Sequence, residues 1–82
     1  MEEMLNKIIQ QVEKNLEMAF NYSQNIINNN SKTDILNTEF CYGKYFAYME
    51  MLWELDVETY VELGSKHFTK RESILDAIEK IY

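Results

Sequence analysis

Cys41 and His67 are the residues of this 82-residue chain best suited to nucleophilic or acid-base chemistry, one thiol and one imidazole. Cys41 falls inside an apolar run, where burial raises a thiol's pKa and lowers its reactivity, so a structural cysteine is expected. One Cys and one His cannot supply a structural zinc site, and a lone Cys cannot close an internal disulfide. Glu50 and Glu54 share a helix face, yet no Glu-x-x-His pair accompanies them, and HExxH, Walker and GxGxxG patterns are absent. No catalytic constellation emerges, so a non-enzymatic protein without metal or cofactor is expected.

A second set of candidates is carboxylate. Glu50, Glu54, Glu58 and Glu62 recur every four residues, with no lysine or arginine between Lys44 and Lys66. On one continuous helix they form a slowly winding acidic stripe. Repulsion at that spacing costs only a few tenths of a kcal/mol per pair, so a solvated face explains the stripe as well as a basic partner does. As a nucleic-acid mimic it is sparse: four residues rise about 6 Å, whereas duplex DNA presents one charge per roughly 1.7 Å. Mimicry needs two stripes side by side, which a dimer could provide.

The run from Phe40 to Trp53 holds Tyr42, Tyr45, Phe46, Tyr48, Met49, Met51 and Leu52. At 100° per residue these side chains cover most of a helix circumference, leaving a narrow strip of Glu39, Gly43, Ala47, Glu50 and Glu54. One reading is a central helix packed between two others. The other is a partly exposed aromatic surface in which Tyr42, Tyr45, Tyr48, Met49 and Trp53, with the acidic residues, hold a partner. Gly43 and Ala47, one turn apart, allow close approach of another backbone. Lys66, His67, Lys70 and Arg71 form a small basic group that could bind an anion or pair with the preceding acidic stripe.

The elements that must position these residues read as helices. No proline and two glycines, Gly43 and Gly64, leave too little punctuation for a sheet fold. From Glu2 to about Asn29, apolar residues step by three and four. As heptads, Leu5, Val12, Ala19 and Ile26 take position a; Met1, Ile8, Asn15 and Tyr22 take d; Ile9 and Leu16 widen the stripe. The asparagines 28 to 30 end this helix. Thr33 or Asp34 is expected to cap a second helix from Ile35 to at least Leu55; beyond it, either Asp56 caps a short helix from Val57 to Leu63 or the second helix continues unbroken to Leu63, and Gly64 stops it in either case. Thr69 to Glu72 reads as a capping box opening a last helix with Ile74, Leu75, Ile78, Ile81 and Tyr82 in its stripe.

The expected fold is a single all-α domain over residues 1–82, a helical hairpin or a three-helix, possibly four-helix, bundle with a long first helix. That helix, about 42 Å long, exceeds the roughly 30 Å diameter of a compact globule of this length. Either the chain is an elongated hairpin with its third element folded back, or helix one pairs with a second copy through Leu5, Ile8, Val12, Asn15 and Leu16. In the latter case Asn15 would fix the register.

The formal charge of -6 argues against duplex DNA or an anionic membrane as partner and favours a protein with a basic surface. The acidic start and interrupted apolar pattern lack a signal peptide or spanning helix, and a cytoplasmic protein is expected. The function expected is that of a small regulatory or inhibitory interaction module, in homodimeric form. Alternatives are a phage or mobile-element inhibitor that mimics nucleic acid on a DNA- or RNA-handling enzyme, and a small DNA-binding regulator using the basic group.

Overall fold

A computed structural model describes residues 2–80, which form four helices with no strand: α1 (Glu2–Asn29), α2 (Thr33–Leu55), α3 (Val57–Lys66) and α4 (Phe68–Glu79). Met1, Ile81 and Tyr82, assigned above to apolar stripes, lie outside the described residues. The fold is all-α, and its extents of 42 × 19 × 16 Å match the elongated hairpin with a folded-back third element. The long dimension is that of α1 itself.

The α1 stripe forms because its apolar residues recur at helical spacing, and it ends at Asn30, whose φ of 52° lies in the left-handed region that asparagine tolerates. A tight turn follows, with Asp34 N-H donating to the Ser31 carbonyl at 3.3 Å and Ile35 N-H to that of Lys32 at 3.2 Å. Neither expected cap of α2 acts as one. Lys32 occupies the cap position, and the Asp34 carboxylate accepts from Asn37 Nδ2 at 3.1 Å instead.

Asp56 behaves as its type predicts. With extended backbone (φ -158°, ψ 87°) it ends α2 and turns the chain back. Its carboxylate accepts from Thr59 N-H at 3.2 Å and from the Thr59 hydroxyl at 2.8 Å, opening α3. Thr59's two hydrogen bonds hold the Asp56 carboxyl below its ordinary pKa.

Two expectations about the C-terminal third fail. Gly64 does not stop α3, which runs on to Lys66. The Thr69–Glu72 capping box is not formed, because α4 already begins at Phe68 and Thr69 lies inside its first turn. The junction is His67, with φ -90° and ψ 0°; its N-H donates to the Leu63 carbonyl at 2.9 Å and its own carbonyl accepts from Arg71 N-H at 3.0 Å. Backbone hydrogen bonding therefore nearly bridges the two helices, and they return together along the hairpin.

Lys66 meets Glu13 at 3.6 Å and Lys70 meets Glu17, so α4 runs parallel to α1 with its first turn level with the middle of α1. The core joins Ile8, Val12, Leu16 and Ala19 of α1 to Cys41, Tyr42, Tyr45, Met49 and Leu52 of α2, closed by Leu63 and Ile74. Apolar burial of this kind contributes about 25 cal/mol per Å².

Replacing Asp56 with alanine should lower the melting temperature, whereas asparagine, also a good cap, should restore most of it. The folded pKa of Asp56 is depressed, so its contribution is complete above about pH 4 and fades as pH falls through the lowered value. Thermal melts from pH 7 to 3 should show this acid-dependent part in the parent and not in Asp56→Asn.

Candidate functional site

The aromatic residues of α2 divide between inside and outside. Tyr42, Tyr45 and Met49 are buried in the core, Tyr48 is half-buried, and Trp53 is exposed. The Tyr42 and Tyr45 rings stack with centroids 5.8 Å apart, and the Phe46 ring meets both edge-on. Tyr42, Tyr45 and Met49 are thus chiefly structural, held between α1 and the returning helices, with almost no surface left exposed. Ile8, Val12, Asn15 and Leu16 likewise lie in the single-chain core, and Leu5 is half-buried against it. The self-association surface expected on α1 is covered by α2 and α4. Asn15 meets its hydrogen-bonding need locally, Nδ2 donating to the Gln11 carbonyl at 2.8 Å.

Burial sets the protonation of the core. Desolvation pushes the Cys41 thiol upward and raises the Tyr45 phenol to about 12. The same effect lowers the His67 imidazole, which Tyr45 meets through its hydroxyl, 3.2 Å from Nδ1. Both groups are therefore neutral at pH 7, as a packed interior favours. Among the described residues no group of three or more His, Cys, Asp or Glu side chains could hold a metal ion.

The basic group is dispersed by the fold. His67 is inside, Lys66 and Lys70 pair with Glu13 and Glu17 of α1 rather than with the acidic stripe, and Lys70 also lies 5.6 Å from the Phe20 ring centre. Arg71 donates through Nη2 to the Gly64 carbonyl at 3.0 Å. The acidic stripe is divided too: Glu50 and Glu54 end α2, and Glu58 and Glu62 lie on α3 beyond the break at Asp56. All four are exposed.

Among the described residues, exposed apolar side chains gather at two places along α2. On the outward side of α2, Leu36, Phe40, Gly43, Ala47, Met51 and Glu54 fall within an arc of about 80°. Leu36 is 73% exposed, Phe40 66% and Met51 49%. Among the described residues, and apart from α2's own adjacent backbone, no atom lies within 4 Å of where a Gly43 Cβ would stand, so the expected close approach at Gly43 has no partner there. The second place is a groove between α2 and the returning helices, lined by Phe46, Tyr60, Val61, Gly64, Phe68 and Arg71 among others.

Val61 and Phe68 were not singled out by the sequence reading. Their signal is a stripe, Val57, Val61 and Phe68, offset from the inward Tyr60, Leu63 and His67. Leu36 carries less signal, since it stands beside Ile35 in a first turn that Thr33 and Asp34 open.

No family model, curated protein or solved structure matches the chain.

The His67 imidazole is harder to protonate in the folded state than in the unfolded chain, so acid favours unfolding through this group. Stability should fall as pH drops from about 7 toward the lowered folded value, and His67→Gln should flatten that slope in urea titrations above the carboxylate range.

Proposed function

We propose that this protein is a non-enzymatic interaction module, regulatory or inhibitory in role, that binds a protein partner on the outward face of α2. The reading rests chiefly on Gly43. In a helix interior glycine costs roughly 1 kcal/mol relative to alanine, and among the described residues nothing outside α2 itself occupies the space its missing Cβ leaves. A helix backbone docking between Leu36, Phe40, Ala47 and Met51 would use that space. Large apolar residues this exposed mark interaction surfaces when they are contiguous.

Charge sets the character of the partner. Glu50 and Glu54 border the face, Glu58 and Glu62 follow on α3, and the chain carries -6. A partner offering an apolar helix edged with lysine or arginine would match, and its binding would weaken with salt. The same surface placed on itself in antiparallel fashion would set Glu50 and Glu54 on the same edge as their own copies, which favours a foreign partner here. Among the described residues no helix is long and apolar enough to cross a membrane, and the buried free thiol suits a cytoplasmic setting. The acidic-mimic reading draws less support, because Asp56 divides the stripe into two pairs on separate helices. DNA binding draws less still, since Lys66 and Lys70 are paired with carboxylates.

The test is affinity capture from the native host with the parent, Phe40→Glu, Met51→Glu and Gly43→Leu, all checked for helicity. A partner retained by the parent should be lost with the two charged variants and weakened by Gly43→Leu. Equal retention by all four proteins rejects the reading. Gly43→Ala adds a discriminating measurement: stability should rise by about 0.5–1 kcal/mol while partner affinity falls.

A further inference from the structure

The groove between α2 and the α3–α4 return is a different surface from the outward face of α2. Its rims are Phe46 and Trp53 from α2 and Val61 and Phe68 from the returning helices, each about half-exposed. Its floor includes Tyr45, Met49 and Gly64, and the enclosed volume is about 530 Å³. The two ends differ in charge. At one, the Trp53 and Tyr60 rings meet edge-on at 5.2 Å with Glu50 alongside. At the other stands Arg71, whose guanidinium is held by the Gly64 carbonyl alone. Its Nε is shielded from solvent, and among the described residues it has no acceptor and no carboxylate stands within ion-pair distance of the side chain.

We propose that this groove is the interface of a homodimer, filled by the same groove of a second copy related by a two-fold axis through its middle, near Phe46 and Val61. A two-fold interface sets each residue against a different one and repeats the contact. Here the Glu50 end of one copy lies against the Arg71 end of the other, twice. That arrangement brings Arg71 a carboxylate within ion-pair distance, which the described residues do not supply, and it keeps Glu50 away from its counterpart. A side-by-side arrangement with like ends together would set acid on acid, which costs affinity.

The apolar area is of the right order. Aromatic side chains offer about 150–250 Å² each, so the exposed halves of Phe46, Trp53, Val61 and Phe68 supply roughly 400 Å². A standard interface takes about 800 Å² from each partner, and the half-buried Tyr60, the exposed Val57 and the polar rim of Glu50, Ser65 and Arg71 extend the patch. The proposal is independent of the partner-binding reading of Leu36, Phe40 and Met51.

Light scattering and sedimentation across the micromolar range test it. The parent should have twice the chain mass, and Val61→Arg and Phe68→Glu, both on the rim and outside the core, should be monomeric with unchanged helicity. Glu50→Arg and Arg71→Glu should each weaken self-association by about tenfold or more, because each sets like charges together twice. Mixed in equal amounts, these two variants should form a heterodimer, since both contacts are then restored, one with its native signs and the other with them exchanged. A monomeric parent overturns the proposal, and so does a dimer that survives Val61→Arg and Phe68→Glu. A dimer broken by Phe40→Glu but not by the groove variants overturns it as well, placing self-association on the outward face of α2. Should Arg71→Glu fail to fold, the two rim variants and Glu50→Arg still decide the outcome.

Discussion

Covering α1 is the constraint from which the rest of the structure follows. A helix 28 residues long with a broad apolar stripe needs more than one neighbour along its length, and the helices after it supply them. α2 takes one side of the stripe through Cys41, Tyr45, Met49 and Leu52, and α4 takes the other through Ile74 and Ala77. The result is a slab whose Cα cross-section of 19 × 16 Å holds three helix axes at the usual spacing of about 8–10 Å, with no outer shell. α2, apolar around most of its circumference, cannot be enclosed in such a slab. Its inward half becomes core and its outward half stays in water.

Two short junctions make the coverage possible. Asp56 breaks the helix and caps the next one with the same carboxylate, so the chain reverses within one residue. His67 then joins α3 to α4 at a slight break, and its ring is tied to Tyr45 across 22 residues of sequence. That tie accounts for the absence of a side-chain cap at the start of α4: the side chain at the cap position is engaged in the core. The ion pairs of Lys66 and Lys70 with Glu13 and Glu17 follow from the parallel run of α1 and α4, which lays two four-residue rows side by side. Exposed pairs of this type contribute only about 0–1 kcal/mol each, so they register the alignment more than they create it.

Much of this was legible locally. The α1 stripe and the Asn30 turn each rest on residues within a few positions of one another and stand where the sequence places them, and of the two readings open at Asp56 the capped break is the one that forms. Gly64 and the Thr69–Glu72 box misled for the same reason in reverse. Both are local signals, and both gave way to packing: a helix already docked on α2 continues through a glycine that costs it roughly 1 kcal/mol. The candidate site was legible only in part. Trp53 and the four glutamates are exposed as an interaction surface requires, whereas Tyr42, Tyr45 and Met49 are core, and Val61 and Phe68 emerged only once α3 lay beside α2.

The sequence by itself determined the helical class, the approximate limits of the first helix and the start of the second, the acidic charge and the apolar character of α2 on nearly every side. Only the tertiary structure decided which apolar residues are inside. The physical reason lies in α2: a helix apolar on nearly every side has no periodic pattern to choose its buried face. That choice is made by the surfaces packed against it, α1 from before the turn and α3–α4 from after it.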